Sequence, residues 1–234
     1  MSKRIIVAVD GHSACGKSTM AKELARRHHF IFIDTGAMYR AVTLYALRQG
    51  FFAPDDTLDT ARLVDSLDQI SVSFEAGEDG QFLICLNGEI VEQEIRGLAV
   101  SDRVSPVATV PEVREKMVRL QREIASRHSV VLDGRDIGTV VFPQAELKFF
   151  VTASADVRAQ RRYNELKAKG MEADYEAILH NIVTRDRIDS ERAVSPLRKA
   201  DDAIEIDSSH MTVDEQNDFA DRILINRINE LGRD

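Results

Sequence analysis

The chain has 234 residues, 44% of them apolar and 30% charged, which is enough to bury a core as one domain plus an excursion or as two domains. Its formal net charge of -8 opposes binding to a polyanion and favours small anionic ligands over nucleic acid, and no apolar run approaches the roughly 20 residues that a membrane span needs. The two cysteines lie far apart and the six histidines show no metal-ligand spacing, which argues against a disulfide framework or a zinc site and suits a reducing cytoplasm.

In chain order, the apolar run at 5–9 predicts a strand. Gly11, His12, Ser13, Ala14, Cys15, Gly16, Lys17, Ser18 and Thr19 follow it and lead into a helix expected over 17–28. This is the spacing of a phosphate-binding loop in its strand-to-helix context. Glycines at both ends let main-chain N–H groups wrap a β-phosphate, and the helix adds its positive N-terminal end. Lys17 supplies a compact cation to the β- and γ-phosphates, and the Ser18 hydroxyl can ligate a bridging Mg²⁺, so the loop predicts ATP or another nucleoside triphosphate as ligand.

A second strand is expected at 30–33 and a helix at 36–48, where Met38, Val42 and Tyr45 recur on one face. Residues 69–92 change period: Ile70, Val72 and Phe74 alternate with polar residues, and Phe82–Leu86 meets Asn87-Gly88, the preferred pair for a tight hairpin turn. This predicts a small antiparallel module at 58–99, inserted into a core of 1–57 and 100–234. Pro111 suits the first turn of a helix whose Val113, Met117, Leu120 and Ile124 share a face. Further strands are expected at 129–132, 147–151 and 203–206, with Thr212 and Glu215 as a capping box for a last helix ending near Gly232. Helix-like segments between the strands predict an α/β, doubly wound parallel sheet. Between 154 and 171, Arg158, Arg161, Arg162, Lys167 and Lys169 crowd one segment, either a solvated helix face or a second excursion.

A phosphate loop alone does not separate a kinase from a GTPase, a motor or an ATP-gated binding module. The arginines Arg40, Arg135, Arg185 and Arg192 bear on that choice, because a planar guanidinium fork grips two phosphate oxygens at once. Asp133-Gly134-Arg135-Asp136 follows an apolar run, so Arg135 is expected at a strand's carboxyl end, where open α/β sheets bind ligands. The competing account is a set of ligand-free ion pairs, Asp133 with Arg135 or Arg185 with Asp189.

Five segments together resemble the bacterial cytidylate kinases, which belong to the P-loop nucleoside monophosphate kinases. They are the phosphate loop at 11–19, Asp34-Thr35-Gly36-Ala37-Met38-Tyr39-Arg40, residues 133–143 beginning Asp133-Gly134-Arg135-Asp136, Arg158-Ala159-Gln160-Arg161-Arg162, and Arg192-Ala193-Val194-Ser195-Pro196-Leu197. The resemblance covers nearly the whole chain; His12 and Cys15 depart from the Pro and small residues often found in that loop. It implies transfer of the ATP γ-phosphoryl group to CMP or dCMP, with Mg²⁺. It assigns Lys17 to the donor, Arg40, Arg135 and Arg192 with Tyr39 to the acceptor phosphate, and Arg158 and Arg162 to a lid at about 154–171. Among the CMP contacts, Ser105, Arg114 and Asp136 would read the base, Arg185 and Asp189 the ribose, and Thr35 is included with them. The same resemblance implies a monomer, while charge, cysteine usage and the lack of a long apolar run predict a cytoplasmic protein without nucleic-acid or membrane partners. A kinase of another acceptor and an ATP-dependent switch without phosphotransfer remain as alternatives, whereas a hydrolase lacks the final Gly of a nucleophile elbow after Gly11-His12-Ser13-Ala14-Cys15.

Overall fold

Five short runs rich in Val, Ile, Leu and Phe assemble into one sheet in the computed structural model, which describes residues 4–77, 82–168 and 170–232. Lys169 lies outside the described residues. The strands are β1 (Ile6–Gly11), β2 (Ile31–Asp34), β6 (Val130–Gly134), β7 (Leu147–Thr152) and β8 (Ile204–Asp207), in the order β2-β6-β1-β7-β8. β1 runs parallel to both its neighbours, with Asp10 beside Gly134 on one side and Gly11 beside Val151 on the other, and β7 runs parallel to β8. The carboxyl ends of β6, β1 and β7 therefore lie side by side, as an α/β sheet's ligand edge requires. Val7, Ala8, Val9, Val130, Val131 and Leu132 are all fully buried, the unbroken apolar pattern of strands covered on both faces.

The described residues fall into two compact units. The first runs through Phe32 and resumes at Arg127. Its helices are α1 (Lys17–His28), α6 (Ala155–Ala168), α7 (Tyr175–Glu191) and α8 (Val213–Leu231). Met20, Leu24 and Ala25 of α1 join Ala220 and Leu224 of α8 in the core under the sheet. At the rim of that pair, His28 Nε2 lies 2.6 Å from Asp221 and Arg27 reaches Asp218 and Asp221. The Thr212 and Glu215 capping box forms at α8 in both directions, satisfying two amides that the first turn leaves open. The basic segment after β7 is a helix, α6, packed with α7.

The second unit spans Ile33–Ser126. It holds α2 (Thr35–Arg48), α3 (Thr60–Asp65), the antiparallel sheet of β3 (Val72–Ala76), β4 (Phe82–Leu86) and β5 (Glu89–Ile90), then α4 (Leu98–Thr109) and α5 (Pro111–Ala125). Asn87 and Gly88 both take positive φ, 51° and 82°, as the two-residue turn between β4 and β5 demands. α2 is the hub: Ala37, Met38, Ala41, Val42, Leu44 and Ala46 are buried, and it packs with α4, α5 and β4. The small sheet joins a unit wider than residues 58–99 because α2's apolar surface is larger than one helix face and needs cover from both α4 and the sheet. Among the described residues no helix is long and apolar enough to cross a membrane.

Candidate active site

The phosphate loop is built by strain that the sheet can hold. Gly11 has φ 152°, Ala14 58° and Gly16 89°, and Gly16 ends the loop as the N-cap of α1. Lys17 is buried, and its Nζ donates to His12 O at 3.0 Å, folding the side chain back across the loop. Cys15 Sγ also donates to His12 O, at 3.0 Å, and its side chain lies in the apolar core. Cys15 O accepts from Ser208 Oγ at 2.9 Å, and Arg161 Nη1 donates to that same hydroxyl oxygen at 3.0 Å, so the loop's far side is tied to the residues after β8.

At the end of β6, the Ser18 hydroxyl donates to Asp133 Oδ2. One hydroxyl and one carboxylate thus meet beside the phosphate loop, a pair of hard oxygen donors. Among the described residues no three His, Cys, Asp or Glu side chains gather as metal ligands. One residue past β6, Arg135 Nε donates to Asp189 Oδ2 at 2.8 Å. Asp136 is buried, with its Oδ1 3.9 Å from Arg192 Nη2, and Arg192 Nε donates to Ser195 O at 2.6 Å. The ion pair formed here is Arg135–Asp189, which the competing account did not name, because Asp189 projects from α7 towards the end of β6.

The turn that follows Asp136 is one π-helical turn, Ile137–Val141. It is anchored by Asp10, the last residue of β1 before Gly11. The Asp10 carboxylate accepts from Ile137 N at 2.8 Å and Gly138 N at 2.7 Å. Burial pushes this carboxyl up to about 6, with the nearby Asp136 adding to the rise, while the two amides and Arg135 pull the other way.

α7 also reaches the phosphate loop. Arg158 is buried, and its Nη1 and Nη2 donate to Asp186 Oδ1 and Oδ2 at 3.0 and 2.6 Å. Its Nε donates to Ala153 O and its Nη1 also to Ser13 O of the phosphate loop. His12 Nδ1 comes within 3.2 Å of Asp186 Oδ1. Burial alone would raise the Asp186 pKa, but His12 and Arg158 hold it below the usual carboxylate value. Arg162 lies further along α6, paired with Glu165 at 2.8 Å, and Arg185 is half-buried on α7.

The second unit carries the remaining candidates. Asp34 caps α2 by accepting from Ala37 N at 2.9 Å and takes a second bond from Arg96 Nη2 at 2.9 Å. Burial would raise its pKa, but the charges of Arg96 and Arg40 hold it below the ordinary value. Thr35 and Tyr39 are buried in the first turns of α2. Arg114 is buried too: its guanidinium stands 5.7 Å from the Tyr39 ring centre, and Nη1 donates to Ala108 O at 3.2 Å. An exposed pairing with Glu112 or Glu115 is thereby replaced by a cation on an aromatic face. Ser105 is half-buried on α4.

Three acids escaped the sequence reading as site residues. Asp10 is the penultimate residue of β1 and belongs to no motif of its own, and the turn it anchors lies 127 residues away. Asp186 sits between Arg185 and Arg187, where it looks like part of a solvated charge run. Asp133 had a usable signal, since an acid at the end of an apolar strand is the usual companion of a phosphate loop's Ser or Thr.

A phosphate loop on one strand end, with guanidinium forks and carboxylates at the adjoining strand end, defines a P-loop phosphotransferase. The profile described as cytidylate kinase matches residues 7–224. The chain belongs to the cytidylate kinase family. It is 56% identical over 215 residues to the cytidylate kinase of Phocaeicola vulgatus, covering 92% of this chain and 93% of that one. To the cytidylate kinase of Bacteroides fragilis it is 54% identical over 218 residues, covering 93% and 95%, and to that of Porphyromonas gingivalis 55% over 218 residues, covering 92% and 94%.

Proposed function

We propose that this chain transfers the γ-phosphoryl group of ATP to the phosphate of CMP or dCMP, giving the corresponding diphosphate and ADP. The family match across residues 7–224 is the observation that carries this. Donor and acceptor are both anions, so the protein's task is to neutralise their repulsion and hold attacking and leaving oxygens in line. Loop amides from Gly11 to Thr19 and the Lys17 ammonium take the donor phosphates. Arg40, Arg135 and Arg192, helped by Tyr39, take the acceptor phosphate, with Thr35 among the CMP contacts. No general base is needed, since the acceptor oxygen is already ionised. The oxygen donors of Ser18 and Asp133 suit Mg²⁺, which Ser18 would hold together with the ATP phosphates. When bound, Mg²⁺ spreads the charge of the β- and γ-phosphates. Arg158 and Arg162 take the ATP phosphates, Arg158 from its seat against the phosphate loop, and closure of the lid segment keeps water from becoming the acceptor.

Base choice follows from hydrogen-bond polarity. Cytosine presents an amino donor beside a ring-nitrogen acceptor and a carbonyl, to be met by Asp136, Arg114 and Ser105. Uracil reverses the first two, and leaving such buried groups mispaired rejects an analogue by roughly 10⁴-fold. Arg185 and Asp189 take the ribose. Because Asp189 holds Arg135 at 2.8 Å, acceptor binding shares or exchanges that contact. On this reading the chain works as a cytoplasmic monomer.

The test is ADP release with CMP, dCMP, UMP and AMP at fixed Mg-ATP, repeated with Arg135→Ala. CMP and dCMP are expected to turn over with UMP and AMP far behind, and Arg135→Ala to lose most CMP turnover. Faster turnover of AMP or UMP than of CMP would overturn the substrate assignment; full CMP turnover in the variant would remove Arg135 from the clamp.

A further inference from the structure

Arg158 has five N–H groups. Four hydrogen bonds engage four of them: one from Nε to Ala153 O, two from Nη1 to Asp186 Oδ1 and Ser13 O, and one from Nη2 to Asp186 Oδ2. The carboxylate of Asp186 is the one side chain in that set, and it takes both ends of the fork. It is also the group that His12 approaches from within the phosphate loop, at 3.2 Å. Asp186 therefore touches a loop residue and an α6 residue at once, while standing on α7. From the same helix Asp189 holds Arg135, so successive turns of α7 serve different arginines.

We propose that Asp186 is a positioning residue for the ATP site, holding Arg158 against the phosphate loop, with His12 as the loop's side of the same clasp. This rests on the assignment of Arg158 to the ATP phosphates. A long, rotamer-rich side chain aimed at a phosphate loses conformational freedom when it binds. A two-point carboxylate grip removes most of that freedom in advance, so ATP meets an ordered guanidinium. The planar fork is essential, because an ammonium cannot take both carboxylate oxygens in one plane. His12 gives the clasp a purchase on the phosphate loop, since its ring nitrogen Nδ1 faces the same carboxylate.

The experiment is steady-state kinetics on the full chain with Asp186→Asn, Arg158→Ala and the double variant, varying ATP and CMP separately. Asp186→Asn keeps the shape and removes the charge. It is expected to lower kcat/KM for ATP by about tenfold or more, as loss of an ordered bidentate charge pair should, and to leave the KM for CMP within about twofold. The double variant should be no worse than Arg158→Ala alone, since the carboxylate acts through that arginine. Unchanged ATP kinetics in Asp186→Asn, equal losses for both substrates, or multiplying losses in the double variant would each overturn the proposal. Unchanged ATP kinetics in Arg158→Ala would instead remove Arg158 from the ATP site and the clasp with it. If Asp186→Asn does not fold, Arg158→Lys serves: a compact ammonium should raise the KM for ATP, and wild-type ATP kinetics in that variant would overturn the proposal.

Discussion

Gly11→Ala concentrates the demands on the phosphate loop into one methyl group. An alanine Cβ at this position would stand 2.0 Å from Val151 O and 3.0 Å from Val151 C, both main-chain atoms of the neighbouring strand, at a φ of 152° that L residues rarely adopt. Contacts under 3.0 Å essentially never occur for a real Cβ, so β1 and β7 must separate by at least about 1 Å at their ends, and no side chain can swing aside to spare them. That movement carries the loop amides and Lys17 with it. A displacement of about 1 Å in a group that positions a reacting phosphate costs on the order of 10²-fold in rate. The added strain at the sheet's centre costs roughly 1–3 kcal/mol in stability. Kinetics at varied Mg-ATP and thermal unfolding measure the two effects, with Gly50→Ala as the control. Gly50 has φ 65° and open space around its would-be Cβ, so its cost is only the roughly 1–2 kcal/mol of left-handed backbone. If Gly11→Ala kept kcat and the KM for ATP within about threefold of wild type, the link from strand register to loop geometry would be refuted.

Asp10 predicts an unusual pH dependence. Its carboxyl is raised from 3.8 to about 6 in the fold, so the native chain binds this proton more tightly than the unfolded chain does, and the group's contribution to stability falls as pH rises through that window. The difference corresponds to about 3 kcal/mol, favouring the wild type over Asp10→Asn increasingly as pH drops from about 7 to about 4. Urea unfolding of both proteins at the two ends of that range tests it, and a pH-independent gap would contradict it. Asp34→Ala removes the α2 cap and the half-exposed Arg96 pair, for an expected loss of about 1–2 kcal/mol. Because the folded Asp34 pKa is depressed, the stability that its charge contributes is present at neutral pH and lost as pH falls through that value, so the variant's deficit in thermal unfolding should shrink in acid. Asp136→Ala should depress CMP turnover far more than ATP binding measured by calorimetry; equal losses would remove its base-reading role.

Much of the fold was legible because its signals are local. Apolar runs at 5–9, 30–33, 129–132, 147–151 and 203–206 became β1, β2, β6, β7 and β8 with ends shifted by a residue or two, the usual uncertainty of fraying termini. Asn87-Gly88 became a tight turn because few other pairs tolerate two positive φ values in succession. Thr212 and Glu215 became a capping box because both partners lie within one turn of chain. The short helix α3 and the π-helical turn at 137–141 had no comparable signal: six residues are too few for a period to show, and a π turn is set by what anchors it.

The sequence by itself determined the phosphate loop, the α/β alternation of the core and the identity of the arginines, since each depends on residues close together in the chain. Tertiary structure alone decided the carboxylate that each arginine meets. Arg135 could have paired with Asp133 two residues away, yet meets Asp189 on α7; Arg158 meets Asp186, and Asp10 holds amides 127 and 128 residues distant. Charges on a string of residues have many partners of similar worth, and burial against a folded sheet selects among them by making an unmatched charge expensive.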